Sequence, residues 1–428
     1  MSKEVERQKL FRAFRAEIRG SAQYLVVGID VGKDKHHAFY GTANGKTLRK
    51  RFVFHNRRAD FEGLRALARD LAKQHGVAGI VYGLEPTGVY HKPLLEYLQR
   101  EGEQVVLVSN VAVARNRELL DGRWDKNDLN DPANVADLIG QGRCLFADDP
   151  DEQLRELRYL VRTRARLRKL EHAVRMRIRN HLVAQYFPEL EVAYAKGGND
   201  HVVLRVVKEC FDPAQIAKLG FEAFWNRIAL PGWGKRQLAR VQAVWEGAKA
   251  SIGCALDPAV RWEAPKLVER LEGLRKELGE VEQRMTEAAR GLPGYRSVIS
   301  VPGIGPAVAA MLLAAIGDPH RFTHPRQVLR LAGLDLCASK SGKASERVVP
   351  RISKQGKPML RFGLIQAARV AARASEPMRA YFAKLLEARQ QERGIRLKRT
   401  VKLAAKLLVI AWTLMRNGDT FDPGRLPA

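Results

Sequence analysis

Cysteine is scarce in this chain of 428 residues. Cys144, Cys210, Cys254 and Cys337 stand far apart and make no Cys-x-x-Cys pair. That spacing excludes a zinc ribbon and a disulfide framework, and it suits a reducing compartment. Long apolar runs are missing as well. A run such as Leu407 to Met415 falls well short of the roughly 20 residues that a bilayer-spanning helix needs. The opening stretch MSKEVERQKLFRAFRAEIRG is charged throughout and has no apolar signal core, so a cytoplasmic protein with no membrane partner is expected. No Gly-x-x-x-x-Gly-Lys-Ser/Thr loop occurs, which excludes P-loop nucleotide hydrolysis. Acids are the last shortage: 47 Asp and Glu face 74 Lys and Arg, a formal charge of +27. A surplus of that size, much of it arginine, points to a phosphate-bearing polyanion, and nucleic acid is the expected partner. The length and 46% apolar content describe a soluble globular chain of two or three domains.

Strand and helix signals alternate from about residue 23 to residue 110. YLVVGIDVG, Tyr24 to Gly32, is an apolar strand that ends on Asp30. A carboxylate in that position is costly unless paired, and a bound cation is the usual partner; standing alone, it would read as a turn cap. HHAFYGTA and TLRKRFVFHN flank Asn44-Gly45, a strong hairpin signal. Ala59 to His75 has one apolar face, VAGIVYGLEP reads as a buried strand, Tyr90 to Arg100 as a helix and QVVLVSN as another strand. Three antiparallel strands, a helix, then strands reached by helical crossovers is the order of an α/β ribonuclease H-like (RuvC-like) domain. In that order the fourth strand lies parallel to the first, and Glu85 at its end faces Asp30. Downstream, Pro132 opens a short helix with Asp131 as its N-cap. Asp128 stands three residues earlier, and Asp125 and Asp137 are further acids in the same stretch.

Asp151 to Phe187 carries one long helical pattern whose outer faces hold many arginines, Arg162, Arg166 and Arg168 among them. Such a helix can pair as a coiled coil and track a phosphate backbone. Residues 197–265 read as small and mostly helical, with no functional signal. Trp262 to Arg290 repeats Leu267, Leu271, Leu274, Leu278 and Val281, the pattern of a return arm in an antiparallel coiled coil.

SVISVPGIGPAVAAMLLAAIGD reads as helix, Gly-x-Gly turn and helix, a helix-hairpin-helix-like segment. There Gly303 and Gly305 would offer backbone N–H groups to a phosphate, the competing reading being a tight turn between core helices. A polar loop follows with Ser339 and Ser341 among Lys343, Arg351 and Lys354. By itself a Ser-Gly pair there is an ordinary turn. Leu397 to Arg416 is an amphipathic helix that closes a mostly α C-terminal domain. The expected segments are a charged extension (1–22), the RuvC-like domain (23–147), the coiled coil with its insert (148–290) and the C-terminal domain (291–428).

In this order the pieces resemble the insertion sequence 110 family of transposases, the bridge-RNA-guided DNA recombinases. The resemblance rests on Gly-Ile-Asp-Val at 28–31, Glu85-Pro-Thr-Gly-Val-Tyr90, and Asp128-x-x-Asp131 before VADLI. It continues through Pro302-Gly-Ile-Gly305, Ala332-Gly-Leu334, Ser341-Gly342, Ile352-Ser-Lys-x-Gly356 and Leu360-Arg361, covering about residues 24–185 and 297–422. It implies an acid quartet on Asp30, Glu85, Asp128 and Asp131, holding Mg²⁺ or Mn²⁺, and a nucleophilic Ser341, with Ser339 lacking the following glycine. It also implies donor and target DNA as substrates, a guide RNA, and a homodimer or homotetramer. Pro132 departs from the alanine usual there. Two other readings remain at this stage: a metal-dependent RuvC-like junction nuclease, and a catalytically silent nucleic-acid-binding protein.

Overall fold

A computed structural model of the chain describes residues 3–121, 130–194, 200–337, 351–387 and 390–426. The chain divides into two compact units, Met1–Pro150 and Asp151–Ala428.

The first unit is built on β1 (Tyr24–Val31), β2 (Lys35–Thr42), β3 (Thr47–His55), β4 (Gly79–Leu84), β5 (Gln104–Leu107) and β6 (Leu145–Phe146). Its helices are α1 (Lys3–Glu17), α2 (Arg58–Gln74), α3 (His91–Arg100), α4 (Asn110–Asp121) and α5 (Asp131–Gly140). The six strands lie in the order β3-β2-β1-β4-β5-β6. β1 pairs antiparallel with β2 and parallel with β4, as the element order predicts. The Asn44-Gly45 turn joins β2 to β3 with Gly45 at φ 96°, a left-handed conformation that glycine adopts without strain.

Alternation along β1 sends Leu25, Val27, Ile29 and Val31 to the face covered by α2 and α3. Val26 goes to the other face, where α5 packs beside Phe14 and Ile18 at the end of α1. The charged N-terminal stretch is therefore a helix with a buried stripe and belongs to this core.

The second unit begins with α6 (Glu152–Arg177), capped by the Asp151 carboxylate, which accepts from the Leu154 N–H at 2.8 Å. A π-helical turn, Ile178–Val183, leads into α7 (Ala184–Tyr186). Then come α8 (His201–Glu209), α9 (Pro213–Lys218), α10 (Phe221–Ile228), α11 (Lys235–Lys249) and α12 (Pro258–Arg290). α6 and α12 run antiparallel, as the ion pairs Arg164–Glu282 at one end and Arg177–Glu263 at the other require. The insert α8–α11 closes its own apolar core against this pair through Val203, Val207, Phe224 and Val244.

The remainder is α13 (Tyr295–Ile299), α14 (Pro306–Ile316), α15 (Pro325–Ala332), β7 (Leu336–Cys337), β8 (Arg351–Ile352), α16 (Pro358–Ala374), α17 (Glu376–Leu386) and α18 (Ile395–Asn417). Leu157 of α6 and Met285 and Ala289 of α12 share one core with α14, α16 and α18. Among the described residues, no helix is long and apolar enough to cross a membrane.

Candidate active site

Asp30 is the penultimate residue of β1, and Glu85 directly follows β4. The parallel register pairs Ile29 with Leu84, and the Glu85 N–H donates to the Ile29 carbonyl at 3.3 Å. The two acids therefore occupy matched ends of adjacent strands, and both are half-buried. Strand alternation carries each onto the α5 face, because Val26 and Val81 already point there.

Two glycines bring α5 down onto that face. Gly28 and Gly83 are register partners, one alternation below Asp30 and Glu85. A Cβ at Gly28 would stand 2.1 Å from the Pro132 carbonyl oxygen and 2.7 Å from the Ala136 nitrogen. One at Gly83 would stand 1.9 Å from Cδ1 of Ile139. Gly-x-Asp and Gly-x-Glu at equal register thus clear the floor for the helix that carries Asp131.

Asp131 is 1% exposed and is the first residue of α5, not its cap; the N-cap is Asn130, whose side chain makes no capping bond. The expected N-cap role is thereby corrected. The carboxylate turns inward to Arg117 of α4, whose Nε and Nη2 both donate to Oδ1, at 3.0 and 2.6 Å. Guanidinium–carboxylate bonds are charge-assisted and stronger than bonds between neutral groups. Asp131 Oδ2 is buried and has no hydrogen-bond partner among the described residues. Asp137, a competing acid in the same stretch, is committed elsewhere: its Oδ2 accepts from Asn116 at 2.9 Å and Gln141 at 2.6 Å. His37 pairs across the ladder with Asp30. His36, on the opposite face, is fully buried, with Nε2 2.7 Å from Asn56 Oδ1. Burial lowers its pKa and outweighs the opposing pull of Asn56 and Asp30.

Asp128 and Asp125 lie outside the described residues, and among those described no three His, Cys, Asp or Glu side chains gather as a metal site. The donor set still fits a hard divalent cation. It offers carboxylate oxygens at the two strand ends and an orphaned buried oxygen on Asp131, the ligand type that Mg²⁺ and Mn²⁺ take.

Ser341, Ser339 and Lys343 lie outside the described residues, but both flanks of stretch 338–350 are held. Leu336 pairs with Ile352 and Cys337 with Arg351. Beneath this ribbon the motif residues interlock. Arg361 Nη1 donates to the Ala332 carbonyl at 2.9 Å, the Lys354 N–H to the Gly333 carbonyl at 3.1 Å and the Lys357 N–H to the Leu331 carbonyl at 2.8 Å. Gly356 abuts the Arg330 carbonyl so closely that a Cβ would stand 2.6 Å from it. Arg351 and Lys354 are exposed, Lys354 at φ 56°.

On α6, Arg162 and Arg166 are exposed, with Arg166 lying 5.7 Å from the Tyr159 ring centroid. Arg168 shares Glu282 with Arg164. Part of the expected basic face therefore meets acids from α12. Gly305 is exposed at the start of α14, whereas Gly303 lets α16 approach: a Cβ there would stand 2.3 Å from the Ala367 carbonyl. At Gly303 the close packing is the structural reason for glycine. Arg117 and the glycine pair went unread in the sequence. The repeated Gly-x-acid at strand ends was the available signal for the glycines, and a lone arginine in a basic chain carried none.

Residues 27–188 match the family model of the IS110 DEDD transposase, described as Transposase, and residues 295–383 match the one described as Transposase IS116/IS110/IS902 family. The insertion element IS110 uncharacterized 43.6 kDa protein of Streptomyces coelicolor is 25% identical over 94% of this chain and 96% of its own length. The insertion element IS116 uncharacterized 44.8 kDa protein of Streptomyces clavuligerus is 26% identical over 93% of this chain and 96% of its own. The transposase for insertion sequence element IS1111A of Coxiella burnetii is 30% identical over 41% of this chain, a match spanning about half (47%) of that protein. Both ends of the chain match in order, with the acids in the first segment and the Ser341 stretch in the second: the chain belongs to the IS110 family of transposases.

Proposed function

We propose that this transposase cuts and rejoins donor and target DNA by a serine nucleophile working with a divalent-metal acid quartet. The observation that carries the reading is the matched placement of Asp30 and Glu85 at adjacent strand ends, with Oδ2 of Asp131, on the helix that covers that face, buried and without a hydrogen-bond partner among the described residues. Asp30, Glu85, Asp128 and Asp131 would hold Mg²⁺ or Mn²⁺. When bound, the cation would supply charge neutralisation at a phosphodiester.

The chain does the rest. Arg117 fixes Asp131 through Oδ1. Ser341 Oγ attacks phosphorus and loses its proton; the departing strand oxygen takes one up. A phosphoserine ester replaces the phosphodiester, so the number of ester bonds is unchanged. Attack by the hydroxyl of another strand reverses the step and frees Ser341. Rejoining therefore needs no nucleotide cofactor. The interlocked base beneath β7 and β8 supports this role, because it fixes both ends of the stretch that carries Ser341. The exposed Arg162, Arg166, Arg351 and Lys354, together with Lys343, would meet nucleic-acid backbones. A guide RNA would choose the DNA by base pairing, and exchange of several strands calls for a homodimer or homotetramer, acting in the cytoplasm.

The test incubates protein, guide RNA and end-labelled DNA with Mg²⁺ and looks for a DNA–protein adduct that survives denaturation. The adduct is expected to disappear in Ser341→Ala. Cleavage that persists in Ser341→Ala but vanishes in Asp30→Ala would replace the reading with that of a metal nuclease. Tight binding without cleavage would leave a nucleic-acid-binding protein, and an adduct on Ser339 would move the nucleophile.

A further inference from the structure

A second concave feature lies on the α5 face, away from the strand ends. It is a groove of ≈ 920 Å³ between α5 and the β2–β3 hairpin. α5 is clamped against the hairpin at its far end, where a Cβ on Gly140 would stand 2.5 Å from the Ala43 carbonyl. The near end begins at Asn130, the neighbour of Asp131.

The α5 wall is a stripe of Asn130, Asn134, Asp137 and Gln141, spaced four, three and four residues apart so that all four share one helix face. Three of these are carboxamides, groups with both donors and acceptors that match base edges. Asn134 is 5% exposed and lines the groove, and its side chain makes no hydrogen bond among the described residues. Its amide atoms are not among the side-chain atoms sealed from solvent without a partner, so they stay open to a ligand that enters the groove. Phe39, half-buried on the opposite wall, offers a ring for stacking. Arg19 and Arg143, both exposed, stand at the hairpin end as phosphate partners.

Amides aligned along the wall, one aromatic ring and cations at the mouth suit unpaired nucleotides. A duplex is excluded by shape: an amide at the bottom of a concave groove is reached by an extruded or single-stranded base, not by edges recessed within a double helix. We propose that this groove binds a short unpaired nucleic-acid segment, with base edges on Asn134 and Gln141, a base on Phe39 and phosphates on Arg19 and Arg143. The proposal rests on the nucleic-acid reading of this unit and adds a strand-binding track beside the acids. No 2′-hydroxyl partner is distinguished, so the shared chemistry is a single strand, and the assay separates DNA from RNA.

Fluorescence anisotropy on the full chain in EDTA supplies the test, with labelled single-stranded DNA, RNA of the same sequence, and the corresponding DNA duplex. In Arg19→Gln/Arg143→Gln, loss of two phosphate contacts should lower the salt slope of single-strand binding by about 1.4, at 0.7 per contact, and leave the duplex slope unchanged. Asn134→Leu should abolish differences in affinity between homopolymers of different bases. Both substituted arginines are exposed, so that variant keeps the fold even if Asn134→Leu does not. Photocrosslinking of 5-iodouracil oligonucleotides should map to Phe39. An unchanged single-strand slope, or equal loss of duplex and single strand, overturns the groove. Cleavage measured in parallel keeps the two readings apart. Intact cleavage with an unaltered slope removes the groove alone, and a wild-type chain that binds neither oligonucleotide removes the nucleic-acid reading of the unit.

Discussion

Gly28→Ala tests how the acids are brought together. The new Cβ would stand 2.1 Å from the Pro132 carbonyl oxygen, 2.7 Å from the Ala136 nitrogen and 3.0 Å from the Ala136 Cβ. Real contacts to a Cβ stay beyond about 3 Å, and two of these obstacles are backbone atoms, so no rotamer change relieves them. α5 must lift by about 1 Å at the turn that carries Asp131. Overpacking of this kind costs about 1–3 kcal/mol, a large share of a total stability near 5–15 kcal/mol. A displacement of about 1 Å at a reacting site costs about 10²-fold in rate. Gly83→Ala is the control, because its obstacle is Cδ1 of Ile139, the free end of a side chain that can turn away. Urea denaturation with DNA cleavage as the second readout should therefore rank Gly28→Ala well below Gly83→Ala in both stability and rate. Equal, small effects of the two substitutions would refute the claim that the glycine floor positions Asp131.

Arg117→Ala leaves the buried Asp131 carboxylate uncompensated and should cost about 3–5 kcal/mol; thermal unfolding should recover part of the loss on adding Mn²⁺, and no recovery would count against a cation beside Asp131. Burial raises the Glu282 pKa, but bonds and charges from Arg164 and Arg168 outweigh it, leaving the carboxyl below its ordinary value. Its stabilising contribution is therefore complete above the usual glutamate range, near pH 4.3, and is lost as pH falls through the lower folded value; Glu282→Gln should flatten the acid limb of stability against pH, and an unchanged limb would refute this. Burial pushes the Cys144 thiol up to about 11, and Cys210 is buried with its thiol also raised, so at pH 8 a thiol reagent should label the exposed Cys254 and Cys337 quickly and the other two only on unfolding.

The hairpin, the parallel pairing of β1 with β4 and the position of Glu85 were legible because each rests on a local signal: a left-handed Asn-Gly turn, an apolar run, an acid at its end. α1 was hidden by its charge, since only Phe11, Phe14 and Ile18 mark its buried side. α4 has a capping serine before it, Ser109, but its apolar residues do not fall on one clean stripe. The inward turn of Asp131 was illegible for a different reason. An acid before a proline is a good N-cap by every local rule, and only the arrival of Arg117 from fourteen residues upstream changes the balance. In a chain with 74 basic residues, sequence alone gives no means of selecting that one. The arginine face of α6 misled in the same way, because the acids that meet Arg164, Arg168 and Arg177 are supplied by α12, about a hundred residues later.

The pairing of Arg117 with Asp131 bears on how acids can gather before any cation is present. Carboxylates drawn together repel, and burial raises the cost of each charge. At Asp131 both donors of Arg117 fall on one oxygen, Oδ1, and none on Oδ2. A fork laid across both oxygens would give the stronger bidentate bond but leave no free oxygen facing the sheet. The observed arrangement gives up part of that bond and keeps one buried acceptor open, while the positive charge stays close enough to offset the carboxylate. Asp30 and Glu85 need less support, because they sit half-buried at strand ends where solvent screens them. The element reaching deepest into the protein is thus the one with its own built-in cation. Under the proposed reaction, Arg117 holds Asp131 by one oxygen and leaves the other for the cation.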